Sequence, residues 1–200
     1  MDTTVYYDVN FNPTNDYAVS EYLGMGSDRK NYIRFYQVPS IPSDYTILGA
    51  NLSLYGDSYI CYNEDYKNDF FVKVSDVKEY WNEYMFTSCE EDFIYDPNTE
   101  YFDYQTNALQ TGTSVTHTTP ISIELPPHSI YIDISDIYTA NGGYQLYFEN
   151  YYGFELYMHW YHSFSAFSSE YTDSAYRPSI VTRYTNSTNH ISLIRKCLTV

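Results

Sequence analysis

The sequence predicts an all-β protein: an antiparallel β-sandwich or jelly roll with one or two short helical turns. Three observations lead there. Apolar and polar residues alternate in short runs, the pattern of strands whose successive side chains face opposite sides. Clusters of Asn, Gly, Pro, Ser and Asp separate the runs, and no helix-length amphipathic segment lies between them. Two hundred residues suit one such domain and are enough to bury a sizeable core.

The elements follow in order. "TTVYYDV" opens the series. "YIRFYQVPSIPSDYTILGANLSLYG", Tyr32 to Gly56, places two alternating runs around a hinge that holds Pro39 and Pro42. Proline fixes φ and withholds a backbone donor, so the hinge reads as a corner between strands. Ala50, Leu52 and Leu54 then face one way, and Asn51, Ser53 and Tyr55 the other. Phe70/Val72/Val74, Ile121/Ile123/Leu125, Ile130/Ile132/Ile134 and Tyr144/Leu146/Phe148 mark further apolar faces. So does Phe154/Leu156/Met158/Trp160, opposite Glu155, Tyr157, His159 and Tyr161. With "PSIVTRY" the count reaches roughly nine or ten strands.

Two segments echo each other. "VKVSDVKEYW" (Val72–Trp81) and "YIDISDIYTA" (Tyr131–Ala140) both run from alternation into Ser-Asp-aliphatic. Asp76 and Glu79 have capping-box spacing, and Ser135-Asp136 can cap a similar turn, so a helical turn is expected after each strand. From Ser88 to Thr119 alternation fades into what reads as a long acidic surface loop. Residues 1–184 thus make one sandwich domain. Residues 185–200, locally basic and aliphatic, read as a tail, a linker or an interaction arm.

Composition narrows the function. Tyrosine occurs 27 times, and its apolar body with a polar tip suits half-buried strands and contact surfaces. Ten Lys and Arg stand against 26 Asp and Glu, a net charge of −16. Such a surface repels phosphate backbones and anionic lipid heads, which argues against nucleic acid as a partner. No apolar run approaches the roughly 18 residues of a membrane-spanning helix, so no membrane insertion is expected. The opening "MDTTVYYDVN" shows neither the basic nor the apolar region of a secretory signal peptide. Three cysteines leave one over: a Cys61–Cys89 bridge with Cys197 free is one arrangement, three thiols another.

Several segments together resemble a known family. "NPTNDYAVSEYLGMGSDRKNYIRF" (Asn12–Phe35), "IPSDYTILGANLSLYG" and "VKVSDVKEYWNEYMFTS" come first. "IYIDISDIY", "YYGFELYM", "FSAFSSEY" and "YRPSIVTRY" follow in the same order as in DNRLRE domains. These are β-sandwich modules of large secreted and cell-surface proteins, related to some carbohydrate-binding modules. The resemblance covers most of Asn12 to Tyr184 and implies a non-catalytic extracellular or cell-surface module. Ala18 replaces a family Gly, Asp16 intrudes before Tyr17, and Ser88 stands where a second Trp is common.

Candidate sites are few. No nucleophile elbow, zincin helix, phosphate-binding Gly loop or Cys-x-x-Cys is present, so no enzyme is expected. His159 and His162, read on one strand, point to opposite faces and make a poor metal pair. "GDSYICYNEDYKND" collects Asp57, Asn63, Glu64, Asp65 and Asp69, oxygen donors that can serve a structural calcium ion or simply form a solvated loop. Otherwise no cofactor is implied. Tyr157 and Tyr161, joined by Tyr147 from a neighbouring strand, form an outward aromatic row suited to stacking on sugar rings. The expected partner is therefore a neutral polysaccharide or other surface glycan, and the expected role adhesion or glycan recognition. The alternative is a structural subunit of an extracellular fibre, spore coat or surface layer. It would contact copies of itself or neighbouring modules through edge strands and the tail residues Ile191, Leu193, Arg195, Lys196 and Cys197.

Overall fold

The alternating runs become strands wherever the computed structural model describes them: residues 2–6, 21–26, 29–35, 45–79, 111–118, 127–140, 152–159, 161–186 and 191–197. The first strands are β1 (Asp2–Tyr6), β2 (Tyr22–Met25), β3 (Arg29–Ile33) and β4 (Tyr45–Cys61). Next come β5 (Val72–Val77), β6 (Thr111–His117) and β7 (His128–Asp133), with α1 (Ser135–Ala140) after β7. β8 (Phe154–Met158), β9 (His162–Phe167), β10 (Ser179–Asn186) and β11 (Ile191–Cys197) complete the series. Among the described residues no helix is long and apolar enough to cross a membrane.

Two antiparallel sheets face each other. One has the order β1-β3-β8-β5-β6; the other has β11-β10-β4-β9-β2, with β7 also paired to β4. The chain between Tyr32 and Gly56 leaves the first sheet with β3 and enters the second with β4, although Pro39 and Pro42 themselves lie outside the described residues. β4 organises its sheet. Leu52 pairs with Ile180 on one edge and Ile132 on the other, while Gly56 pairs with His128 and Ala166. β9 and β10 therefore run one after the other along the same edge of β4, and residues 168–178 loop out between them.

The core lies between the sheets. Leu52, Leu54, Ile130, Ile132 and Phe164 meet Ile33, Val72, Val74, Leu156 and Met158, all buried. Each such side chain contributes about 1.5–3 kcal/mol of burial. At one end Ile134 and Ile137 of the α1 segment close the core. The Ile134 N–H donates to the Ala50 carbonyl (2.8 Å), and the Ala50 N–H donates to the Ser135 hydroxyl (3.0 Å). Asp133, two residues before the expected cap Ser135, accepts from both the Ser135 hydroxyl and its N–H. Those two bonds hold its carboxyl below the usual range.

The structure corrects four readings. Asp76 does not begin a helical turn. It lies within β5, buried, in an ion pair with Lys78, and residues 80–110 are outside the described residues. The loop read from Ser88 to Thr119 ends in a strand, β6, paired with β5. β6 escapes the periodicity signal because Thr113, Val115 and His117 are only half-buried, so no apolar face marks it. The segment set apart from residue 185 also enters the sheet: β10 continues to Asn186, and β11 pairs with it from Ser179↔Cys197 to Thr185↔Ile191. Finally, the run through Met158 and Tyr161 is not one strand. β8 ends at Met158, and the His162 N–H donates to the His159 carbonyl (3.0 Å), closing a four-residue turn into the other sheet.

Candidate functional site

That turn creates the first aromatic surface. Tyr157 stands on the outer face of β8, in register with Lys30 on one side and Lys73 on the other. Beyond β8 the chain lies against the segment after β4. The His159 N–H donates to Phe71 (3.1 Å), and the Tyr62 N–H donates to Tyr161 (2.9 Å). These contacts line up half-buried rings. Phe71 is 6.1 Å from Tyr157 and 5.0 Å from His159; His159 is 5.7 Å from Tyr161; Tyr161 stacks on Tyr66 at 3.9 Å. Tyr157 and Tyr161 thus belong to one strip, joined through Phe71 and His159 rather than by strand spacing. Tyr147 lies outside the described residues.

His162 supports the strip from beneath. It is fully buried, its Nε2 lies 3.2 Å from the Tyr66 carbonyl and its Nδ1 2.8 Å from the Tyr59 hydroxyl. A carbonyl can only accept, so the neutral ring carries its proton on Nε2 and takes a bond from Tyr59 on Nδ1. Burial lowers the His162 pKa and His159 adds to that, while the Tyr66 carbonyl and Asp69 act in the opposite sense. Burial likewise raises the Tyr59 pKa, helped by Cys61 and Glu64. The two histidines do not sit on opposite faces of a strand: their rings are 5.8 Å apart across the turn. Both nitrogens of His162 are nonetheless engaged, which leaves none for a metal.

The oxygen donors do not converge. Asp57 lies exposed in a bulge of β4, where its carboxylate adds to burial in raising the Tyr22 pKa. Asn63 spends its side-chain oxygen on the Asp65 N–H (3.0 Å), capping a short 3-10 turn over Glu64–Tyr66. Glu64 faces Lys67 at 3.8 Å, and Asp65 and Asp69 are exposed. Among the described residues no group of three or more His, Cys, Asp or Glu is placed to hold a metal ion. Cys61 is a free thiol whose Sγ lies 3.2 Å from the Asn63 carbonyl; Cys89 lies outside the described residues. Ile191, Leu193, Arg195, Lys196 and Cys197 take register positions along β11, the end strand of its sheet.

A second aromatic surface escaped the sequence reading. On the outer face of the six-stranded sheet, Tyr131 of β7 meets Tyr55 of β4 at 6.1 Å, their hydroxyls 3.2 Å apart. Tyr55 is 5.8 Å from Tyr176, in the loop between β9 and β10. That loop folds over the sheet, stacking Tyr171 on Phe167 (3.8 Å) beside Tyr22. Alternation already pointed Tyr55 and Tyr131 outward, Tyr131 lying between buried Ile130 and Ile132. Nothing local announced Tyr171 or Tyr176, which the looped-out segment brings there.

No protein-family model matches the chain, and no curated protein matches it in sequence.

Proposed function

We propose that this chain is a non-catalytic recognition module of secreted or cell-surface proteins, similar to DNRLRE domains, that binds a neutral polysaccharide. One observation carries the reading: the continuous, half-exposed strip from Tyr157 through Phe71 and His159 to Tyr161 and Tyr66. Ring faces stack on the apolar faces of sugars, and a buried, hydrogen-bonded His162 holds the strip in place before a ligand arrives. The net charge of −16 favours an uncharged glycan over a polyanionic one. The test is retention on immobilised polysaccharides, in calcium and again in EDTA. Retention of the native chain that Tyr157→Ala and Tyr161→Ala abolish, with melting unchanged, supports the site. Equal retention by both variants refutes it. Loss in EDTA alone would place a calcium ion among the carboxylates of residues 64–69 that border the strip.

A structural subunit remains the second reading, favoured by one observation. Among the described strands β11, which carries Arg195 and Lys196, occupies the end of its sheet, where a strand from another copy can add. Filaments that persist after residues 185–200 are deleted would remove it.

A further inference from the structure

We infer that the outer face of the six-stranded sheet docks an extended, arginine- or lysine-rich segment of a protein partner. The site is independent of the glycan strip. Two of its tyrosines are well exposed, Tyr131 at 53% and Tyr22 at 38%, large aromatic surface to leave in water. The arrangement of the rings indicates what they accept. Tyr55 stands at 89° to Tyr131 and at 65° to Tyr176, so adjacent rings form walls rather than a flat platform. A guanidinium or ammonium group gains from each ring face it approaches, and upright rings offer such faces side by side.

Charge selects the same occupant. Asp57 sits in the bulge of β4 across β9 from Tyr22, and after burial its carboxylate, with Tyr171 and Glu21, raises the Tyr22 pKa, so carboxylates flank the exposed aromatic end of this face. Arg177, the nearby cation of the loop, already donates to the Tyr171 carbonyl at 2.7 Å. A chain of net charge −16 steers a basic segment toward either sheet, and the tyrosine walls with Asp57 determine where it settles.

The experiment is fluorescence anisotropy of a labelled peptide of alternating Arg and Gly, titrated with the full-length protein at physiological salt. Tyr131→Ala and Asp57→Asn should each weaken binding about threefold or more, the range expected for one cation–π or charge contact. Tyr131→Phe, which keeps the ring, should bind like the native chain. The control is the double variant Glu64→Gln with Asp65→Asn, which removes two negative charges at the strip against the one removed by Asp57→Asn; it should change little. Equal weakening by control and site variants would reduce the interaction to net charge and overturn the assignment. Absence of binding by the native chain would overturn it as well. Loss of polysaccharide retention in Tyr131→Ala would reassign this face to glycan.

Discussion

Replacing His162 by Phe tests the account of the strip most directly. Phe keeps a ring between Tyr59 and Phe70, which lie 5.9 and 5.3 Å away, but removes both nitrogens. The Tyr66 carbonyl then loses its donor, at about 1–3 kcal/mol, and the half-buried Tyr59 hydroxyl loses an acceptor worth about 0.5–1.5 kcal/mol. At about pH 8 the variant should therefore be about 2–4 kcal/mol less stable in urea melts. Acid changes that gap. The folded-state pKa of His162 lies below its unfolded value of about 6.5, so at lower pH the unfolded chain holds a proton that the folded chain lacks. The stability is present above about 6.5 and is lost as the pH falls, by at most about 1.4 kcal/mol per unit. Asp69 tempers the shift and His159 reinforces it. The native chain should lose this increment between about pH 7 and 5, the variant should not, and the gap should narrow. A gap constant across that range would show that His162 is not the neutral, buried group described.

Two further outcomes concern the scaffold. Gly153 has φ +96° with the Ile33 carbonyl against it, and a Cβ at Gly56 would meet the Ser165 carbonyl and the Phe164 ring. Gly153→Ala and Gly56→Ala should each lower stability by about 1–3 kcal/mol or more in thermal or urea melts; native-like melts would contradict the strand approach at those points. Millimolar calcium should leave the melting temperature where EDTA puts it, because Asn63 spends its oxygen on Asp65 and the carboxylates do not converge among the described residues. A rise in calcium would show that the carboxylates of residues 64–69 gather around an ion.

Much of the fold was legible because burial on a sheet leaves a period of two. Ala50, Leu52 and Leu54, then Ile130 and Ile132, then Leu156 and Met158 all lie in the core as their alternation required. β2, β6 and β9 were harder to see for the same reason inverted. β2 has four residues, one of them Gly24; β6 has no buried face; and β9 alternates His162, Phe164 and Ala166 with serines. The tyrosine count foretold aromatic contact surfaces without locating them. Alternation places Tyr157 and Tyr161 as neighbours on one strand; in the structure they share one strip through a turn held by the facing segment near Phe71.

The amino-acid sequence by itself determined the all-β architecture, its core-facing residues and the acidic, tyrosine-rich exterior, because alternation, composition and charge are local or additive properties. Only the tertiary structure decided which rings share a surface. Tyr66 meets Tyr161, and Tyr176 meets Tyr55, across long sequence separations, and such contacts depend on how the segments between strands fold back on the sheets.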